Sequence, residues 1–363
     1  MSALAAPRLV NGPLEDPVLF LPFAHRRRGM LFDLGDLSAL APRDLLKVSH
    51  AFVSHTHMDH FIGFDRLLRV HLGRGAELTL AGPDGFLRHL EGKLAAYSWD
   101  LMDRFAEGLR LVAVEVRDGR RIACAYDGRR GFAPEAAPRE SPFAGVLLDE
   151  PAVRVEAAVL EHSIPCLGFA VSERIRVRVL KTALAARGLA PGRWLNALKE
   201  AIYAGAPPET EIAAELDGGK GTRGFPLGEL CGTVVRIEAG RKIGYITDVA
   251  DHPANREAIV RLCRGADLLF IEAAFLDAES GLARRKRHLT ARQAGEIAAL
   301  AGVRSLVVMH LSPRYEGREV EVEAEAERSF RETRRLLRPA PGAGEPAGPP
   351  PSAPGPPRGA GSP

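Results

Sequence analysis

The stretch Ser54-His55-Thr56-His57-Met58-Asp59-His60 places three histidines and an aspartate within six consecutive positions. A neutral imidazole nitrogen is a borderline metal ligand, and a carboxylate adds a hard anionic oxygen. His55 and His57, two residues apart, can point the same way at a strand end. Asp59 and His60, at the start of a following helix, can reach a second ion a few Å away. The chemistry implied is metal-assisted hydrolysis. A second concentration is electrostatic. Between Arg174 and Lys199 there are seven basic residues and no acidic one, against a whole-chain net charge of only +3. Arg174, Arg176 and Arg178 alternate, so on a strand they would form one cationic face. Trp194 lies among them and could stack on a base or ribose. Such a surface would gain affinity for RNA through counterion release. A third run, Arg284-Arg285-Lys286-Arg287, leads straight into His288 and suits a phosphate.

Other chemistries are excluded. Neither GxxxxGK[ST] nor a GxGxxG between strand and helix occurs, which argues against a P-loop NTPase or a dinucleotide-dependent dehydrogenase. The four cysteines, Cys124, Cys166, Cys231 and Cys263, are scattered without a CxxC, so neither a disulfide scaffold nor a cysteine-based zinc finger is expected.

These side chains need elements to hold them. Short apolar runs bounded by Gly, Pro or Asp read as strands: Val18–Phe23, Met30–Phe32, Ala51–Val53, Leu78–Leu80, Leu109–Val116, Val153–Leu160, Val234–Ile237, Ile243–Ile246, Leu268–Ile271 and Ser305–Met309. Helical patterns fall at Phe61–Leu72, Asp84–Tyr97, Asn255–Arg264, Ala291–Ala301 and Glu319–Leu337. Strands alternating with helices imply a layered α/β domain over residues 1–338, with a basic insert around 174–226. Leu101–Ala144, rich in Arg, Gly and Pro, fits either a sandwich segment or a loop over the site. The last 25 residues, 339–363, contain 10 prolines and 6 glycines and read as a disordered tail. No apolar run approaches the roughly 18 residues needed to span a bilayer. The N-terminus lacks a basic region followed by an apolar one, so a cytoplasmic protein with no membrane partner is expected.

The HxHxDH motif at His55–His60 resembles that of the metallo-β-lactamase superfamily. The resemblance implies an α/β, four-layer αββα sandwich with a two-metal site at one edge of its sheets. It also implies three further ligands at strand ends. His162, Asp248 and His310 occupy such positions in order, after Val153–Leu160, Ile243–Ile246 and Ser305–Met309. By that resemblance His55, His57 and His162 would bind one Zn²⁺. Asp59, His60 and His310 would bind a second, with Asp248 bridging the two.

The flanking residues narrow the family. Met309-His310-Leu311-Ser312-Pro313-Arg314-Tyr315 is similar to the HxSxRY end motif of ribonuclease Z, the endonuclease that trims the 3′ trailer from precursor tRNA. His288-Leu289-Thr290-Ala291-Arg292-Gln293-Ala294 looks like that family's segment carrying a catalytic histidine. Glu161-His162 through Phe169 matches its third-ligand region, and Gly188–Gly192 resembles its Gly-x-Pro-Pro-Gly element. There are departures. A Gly-Thr-Gly first strand is missing, and Leu282–Arg287 is longer than usual. The tRNA-holding arm is poorly matched, and the family's His-Glu-Ala-Thr stands here as Ile271-Glu272-Ala273-Ala274.

The resemblance implies a zinc-dependent endoribonuclease acting by two-metal hydroxide attack, with precursor tRNA as partner and a homodimer as assembly. Asp59 would serve as ligand and possible base, and His288 as proton donor to the leaving oxygen, oriented by Glu272. Arg287 and Arg314 would neutralise phosphate charge, while Arg174, Arg176 and Trp194 would hold RNA. Hydrolysis of small phosphodiesters such as cyclic nucleotides, or of lactones and thiolesters, is the alternative on the same site. A catalytically weak RNA-binding relative is another, and it would purify with little zinc.

Overall fold

A computed structural model describes residues 4–24 and 27–337. The Pro/Gly-rich segment 339–363 lies outside them. Two sheets face each other. The first runs in the order Arg8–Leu9, Leu19–Pro22, Gly29–Phe32, Val48–Phe52, Glu77–Pro83, Arg110–Arg117, Arg120–Asp127, Ala133–Pro134, with Arg139–Pro142 also paired to Arg120–Asp127. The second runs Val146–Asp149, Val153–Glu161, Pro165–Glu173, Lys242–Ile246, Leu268–Glu272, Ser305–Met309.

Each sheet has a parallel centre. Gly29–Phe32 through Arg110–Arg117 are mutually parallel, and so are Lys242–Ile246, Leu268–Glu272 and Ser305–Met309. Parallel neighbours need crossovers, here supplied by helices that cover the outer faces. Phe64–His71 buries Phe64, Leu67, Leu68 and His71, the i, i+3, i+4, i+7 stripe of a helix lying on a sheet. Pro253–Cys263, Ala291–Leu300 and Glu319–Leu336 do the same on the far side. The result is the expected four-layer αββα sandwich.

Between the sheets an aromatic layer sits below the strand ends. Phe32 packs on Phe52 at 5.1 Å, on Phe169 at 5.6 Å and on Tyr245 at 5.9 Å between ring centroids. This joins two strands of the first sheet to two of the second. The parallel strands therefore end at a common, rigid edge, where ligand sites of such sheets form.

Leu101–Ala144 belongs to the sandwich. Arg110–Arg117 and Arg120–Asp127 form a hairpin closed by Asp118-Gly119, both with positive φ (51° and 68°). An Asp-Gly pair is the residue choice such a two-residue turn requires.

The basic insert is a separate folded unit. Ile175–Val179 pairs with Val235–Ala239, and Glu211–Glu215 with Thr222–Pro226, so the excursion closes at 239 rather than 226. Its own core holds Val177, Leu184, Trp194, Leu198, Phe225 and Leu230. Trp194 is a correction to the sequence reading. It is only 6% exposed, and its indole nitrogen donates to Ala190 O at 2.8 Å, so it offers no face to RNA. Trp194→Ala is expected to destabilise this unit by about 3–5 kcal/mol. Differential scanning calorimetry should show that loss while hydrolysis of a chromogenic phosphodiester stays near wild type.

Candidate metal centre

The seven residues expected to bind metal meet at the common edge. His55, His57, His162 and Asp248 bring ligand atoms within 4.8 Å of one another, and Asp59, His60 and His310 form a second such group. Each comes from just beyond a strand. His55–His60 follow Val48–Phe52, His162 follows Val153–Glu161, Asp248 follows Lys242–Ile246, and His310 follows Ser305–Met309.

Asp248 Oδ2 lies 3.6 Å from His55 Nε2, from His162 Nε2 and from His60 Nε2. Its Oδ1 lies 3.0 Å from His310 Nδ1. One carboxylate thus touches both groups. His55 Nε2 and His57 Nδ1 are 2.9 Å apart, and Asp59 Oδ2 is 3.3 Å from both His60 Nε2 and His310 Nε2. Tetrahedral ligands held at 2.0–2.1 Å from zinc sit about 3.3 Å apart. The donor spacing therefore fits a shared ion in each group. His60 Nε2 and His310 Nδ1 are buried without a hydrogen bond of good geometry, an arrangement costly unless a metal takes them.

The supporting shell fixes which nitrogen faces inward. His60 Nδ1 donates to Asp33 Oδ2 at 3.0 Å, and His162 Nδ1 to Arg287 O at 2.9 Å. His55 Nδ1 meets Ser54 Oγ at 3.0 Å. Asp33 also accepts from Ser54 N (2.6 Å), Ser54 Oγ (2.9 Å) and Tyr245 OH (2.9 Å). It is fully buried and was missed from sequence; the available signal was an Asp directly after the all-apolar strand Gly29–Phe32. Asp33, Asp248, Arg287 and His310 all have positive φ, a strained backbone state that clusters at working sites.

The electrostatics split the cluster. Burial, then the charge of His60, pushes His55 down to about 2, and burial lowers His162. Burial would also lower His60 and His310, but Asp248 outweighs it, raising His60 well above the usual range and His310 to about 10. Burial would raise Asp59 and Asp248, yet contacts with His310 and His60 hold both carboxyls well below the usual range. Asp59 is therefore a better ligand than base.

His55 and His162 present neutral imidazoles, whereas His60 and His310 must shed protons to accept a cation. Cation and protons compete there, so lowering the pH weakens uptake by about tenfold per unit for each proton displaced. If each group holds an ion, the one at Asp59, His60 and His310 is expected to be lost well before the other on dialysis near about pH 6. Metal analysis after dialysis at stepped pH checks this; simultaneous loss would contradict it.

Beside the cluster is a cavity of about 260 Å³, lined by His288, Lys286, Asp59, His310, Glu15 and Asp16 among others. His288 Nδ1 donates to Glu272 Oε2 at 3.1 Å, and Glu272 Oε1 accepts Val249 N at 2.7 Å. The pair expected from sequence is thus in contact. Burial lowers the His288 pKa, but the Glu272 carboxylate outweighs it and the net shift is upward.

The arginines are placed otherwise than expected. Arg287 binds Glu161 (3.0 Å) and His162 O (2.8 Å), so it braces a ligand loop. Arg314 pairs with Glu279 and lies 5.5 Å over the Phe275 ring. Arg174 pairs with Asp149, and neither it nor Arg176 lines the cavity at the metal edge.

Comparison with known proteins agrees with this geometry. A family model described as "Beta-lactamase superfamily domain" matches residues 208–311, a span that includes Asp248, Glu272, His288 and His310. The ribonuclease Z of Deinococcus radiodurans is 35% identical over 289 residues, covering 79% of this chain and 83% of that protein. The ribonuclease Z of Thermobifida fusca is 32% identical over 305 residues, 81% of this chain and 77% of that one. A metallo-β-lactamase fold protein of Bacillus subtilis superposes with a TM-score of 0.52 at 14% identity, covering 90% of this chain and 94% of its own, which supports the fold. With the ligand edge, the sandwich and relatives over most of its length in agreement, the chain belongs to the ribonuclease Z family of the metallo-β-lactamase superfamily.

Proposed function

We propose that this protein is an endoribonuclease that removes the 3′ trailer of precursor tRNA, using two zinc ions held by His55, His57, His162 and by Asp59, His60, His310, with Asp248 between them. The observation that carries this reading is the single carboxylate of Asp248 in reach of both ligand groups, in a chain similar to ribonucleases Z over most of its length. When bound, the ions supply Lewis acidity to the phosphate and lower the pKa of water.

The chain's own residues do the rest. His288, held by Glu272, turns its other ring nitrogen towards the cavity, where it gives a proton to the departing 3′-oxygen. The phosphate then stays on the trailer and the tRNA keeps a 3′-OH. Lys286, exposed on the cavity wall, offsets phosphate charge. Arg287 and Glu272 hold ligand and donor in place. The reading includes a homodimer and a cytoplasmic setting, in keeping with four free cysteines. Among the described residues no helix is long and apolar enough to cross a membrane.

The test is a ranking of kcat/KM for metal-loaded protein on 3′-extended precursor tRNA, a cyclic nucleotide and a chromogenic lactone. Precursor tRNA is expected to lead by orders of magnitude; a lead for either small substrate would overturn the assignment.

A further inference from the structure

On the outer face of the first helical layer, away from the metal edge, lies a cavity of about 800 Å³ between the helix Phe64–His71 and the segment 97–99. Its lining includes Arg66, Arg69, Arg74, Tyr97 and Trp99. The sole acidic lining residue, Asp65, is engaged by Lys93 at 3.2 Å. Arg69 and Arg74 are exposed and make no ion pair or hydrogen bond among the described residues, while Arg66 reaches only Leu40 O at 3.4 Å. This differs from the basic insert, whose Arg174, Arg178 and Arg187 are each paired with an acid.

The aromatic wall is braced. Trp99 packs edge-on to Phe132 at 4.7 Å, and its indole donates to Leu94 O at 2.8 Å. Tyr97 meets Trp99 edge-on at 5.8 Å and remains 46% exposed. A braced, exposed ring beside unpaired guanidinium groups is the composition that takes a base and its flanking phosphates, without regard to sequence.

The cleft lies along the path leading from the ligands. Asp59 and His60 sit in the turn Met58–Phe61; after the break at Ile62-Gly63 the next helix, Phe64–His71, carries Arg66 and Arg69 and itself spans about 12 Å at 1.5 Å per residue. That reach corresponds to a few nucleotides of single strand. We infer that this cleft binds the single-stranded 3′ trailer of the substrate, stacking a base on Tyr97 and pairing phosphates with Arg66, Arg69 and Arg74. The inference rests on the RNA reading of the metal site.

The experiment compares precursor tRNAs with trailers of about two and about ten nucleotides on the full, metal-loaded chain and on a Tyr97→Ala, Arg69→Ala, Arg74→Ala variant. For the wild type, KM should fall at least about tenfold with the longer trailer. For the variant that gain should vanish, with kcat and chromogenic diester hydrolysis unchanged. The slope of log KM against log salt should drop by roughly 0.7 for each phosphate that the variant no longer binds. A variant that keeps the gain, or a wild type indifferent to trailer length, overturns the cleft assignment alone. Failure of the wild type to cut either precursor overturns the RNA reading with it.

Discussion

Asp248→Asn is expected to lower kcat/KM by at least about a thousandfold on any phosphodiester, the scale of losing several kcal/mol of metal-ion stabilisation. The side chain keeps its shape but no longer supplies an anion to both ligand groups. Asp248 Oδ2 is 3.6 Å from His55, His60 and His162, and among the described residues it is the one carboxylate in the group with His55, His57 and His162. On the proposed two-ion reading, metal content should fall to one per chain or fewer. The fold should survive, because His60 and His310, which owe their raised pKa values first to Asp248, can lose their protons rather than remain as unpaired buried charges. Metal analysis together with kcat/KM checks this. A variant that keeps both metals and full activity would refute the bridging role.

His288→Ala should lower kcat for RNA by about a hundred- to ten-thousandfold, the range for loss of a positioned general acid. Metal content should be unchanged, since His55, His57, His162, Asp59, His60, His310 and Asp248 all remain; loss of an ion would instead mark His288 as a ligand, in the group it forms with Asp248 and His310. The loss should be far smaller on a diester with a nitrophenol leaving group, which departs without a proton. Glu272→Gln separates donor from orienter. The protonated form of His288 is the active one, so activity falls as pH rises through its pKa. Glu272 is the largest influence raising that pKa. Its neutral replacement lowers the pKa, and the alkaline limb of the pH profile must move to lower pH. A profile that falls in amplitude without moving would leave Glu272 a purely structural part.

The candidate metal cluster was legible because its chemistry is local. His55–His60 form a contiguous signal, and His162, Asp248 and His310 each follow an apolar run that does become a strand. Asp33 was hidden for the opposite reason. Its donors come from Ser54, 21 residues away, and Tyr245, 212 residues away, so nothing beside it in sequence marks its role. Trp194 defeats the sequence reading because high charge density along a segment does not make every residue in it a surface residue. The insert instead folds around that indole, and Arg174, Arg187 and Arg178 find acids in Asp149, Glu229 and Glu238, all outside the segment that looked purely basic. The hairpin at Asp118-Gly119 did carry its own turn signal, and from Arg110 to Pro142 the stretch Leu101–Ala144 supplies strands to the first sheet.

The most direct measurement is the position of the cut in a 5′-labelled, 3′-extended precursor tRNA treated with metal-loaded protein. The account predicts one product ending near the discriminator base with a 3′-OH, absent after chelation and absent with Asp248→Asn. An intact precursor in the presence of folded, fully metal-loaded protein that still hydrolyses a small diester or a lactone would contradict it.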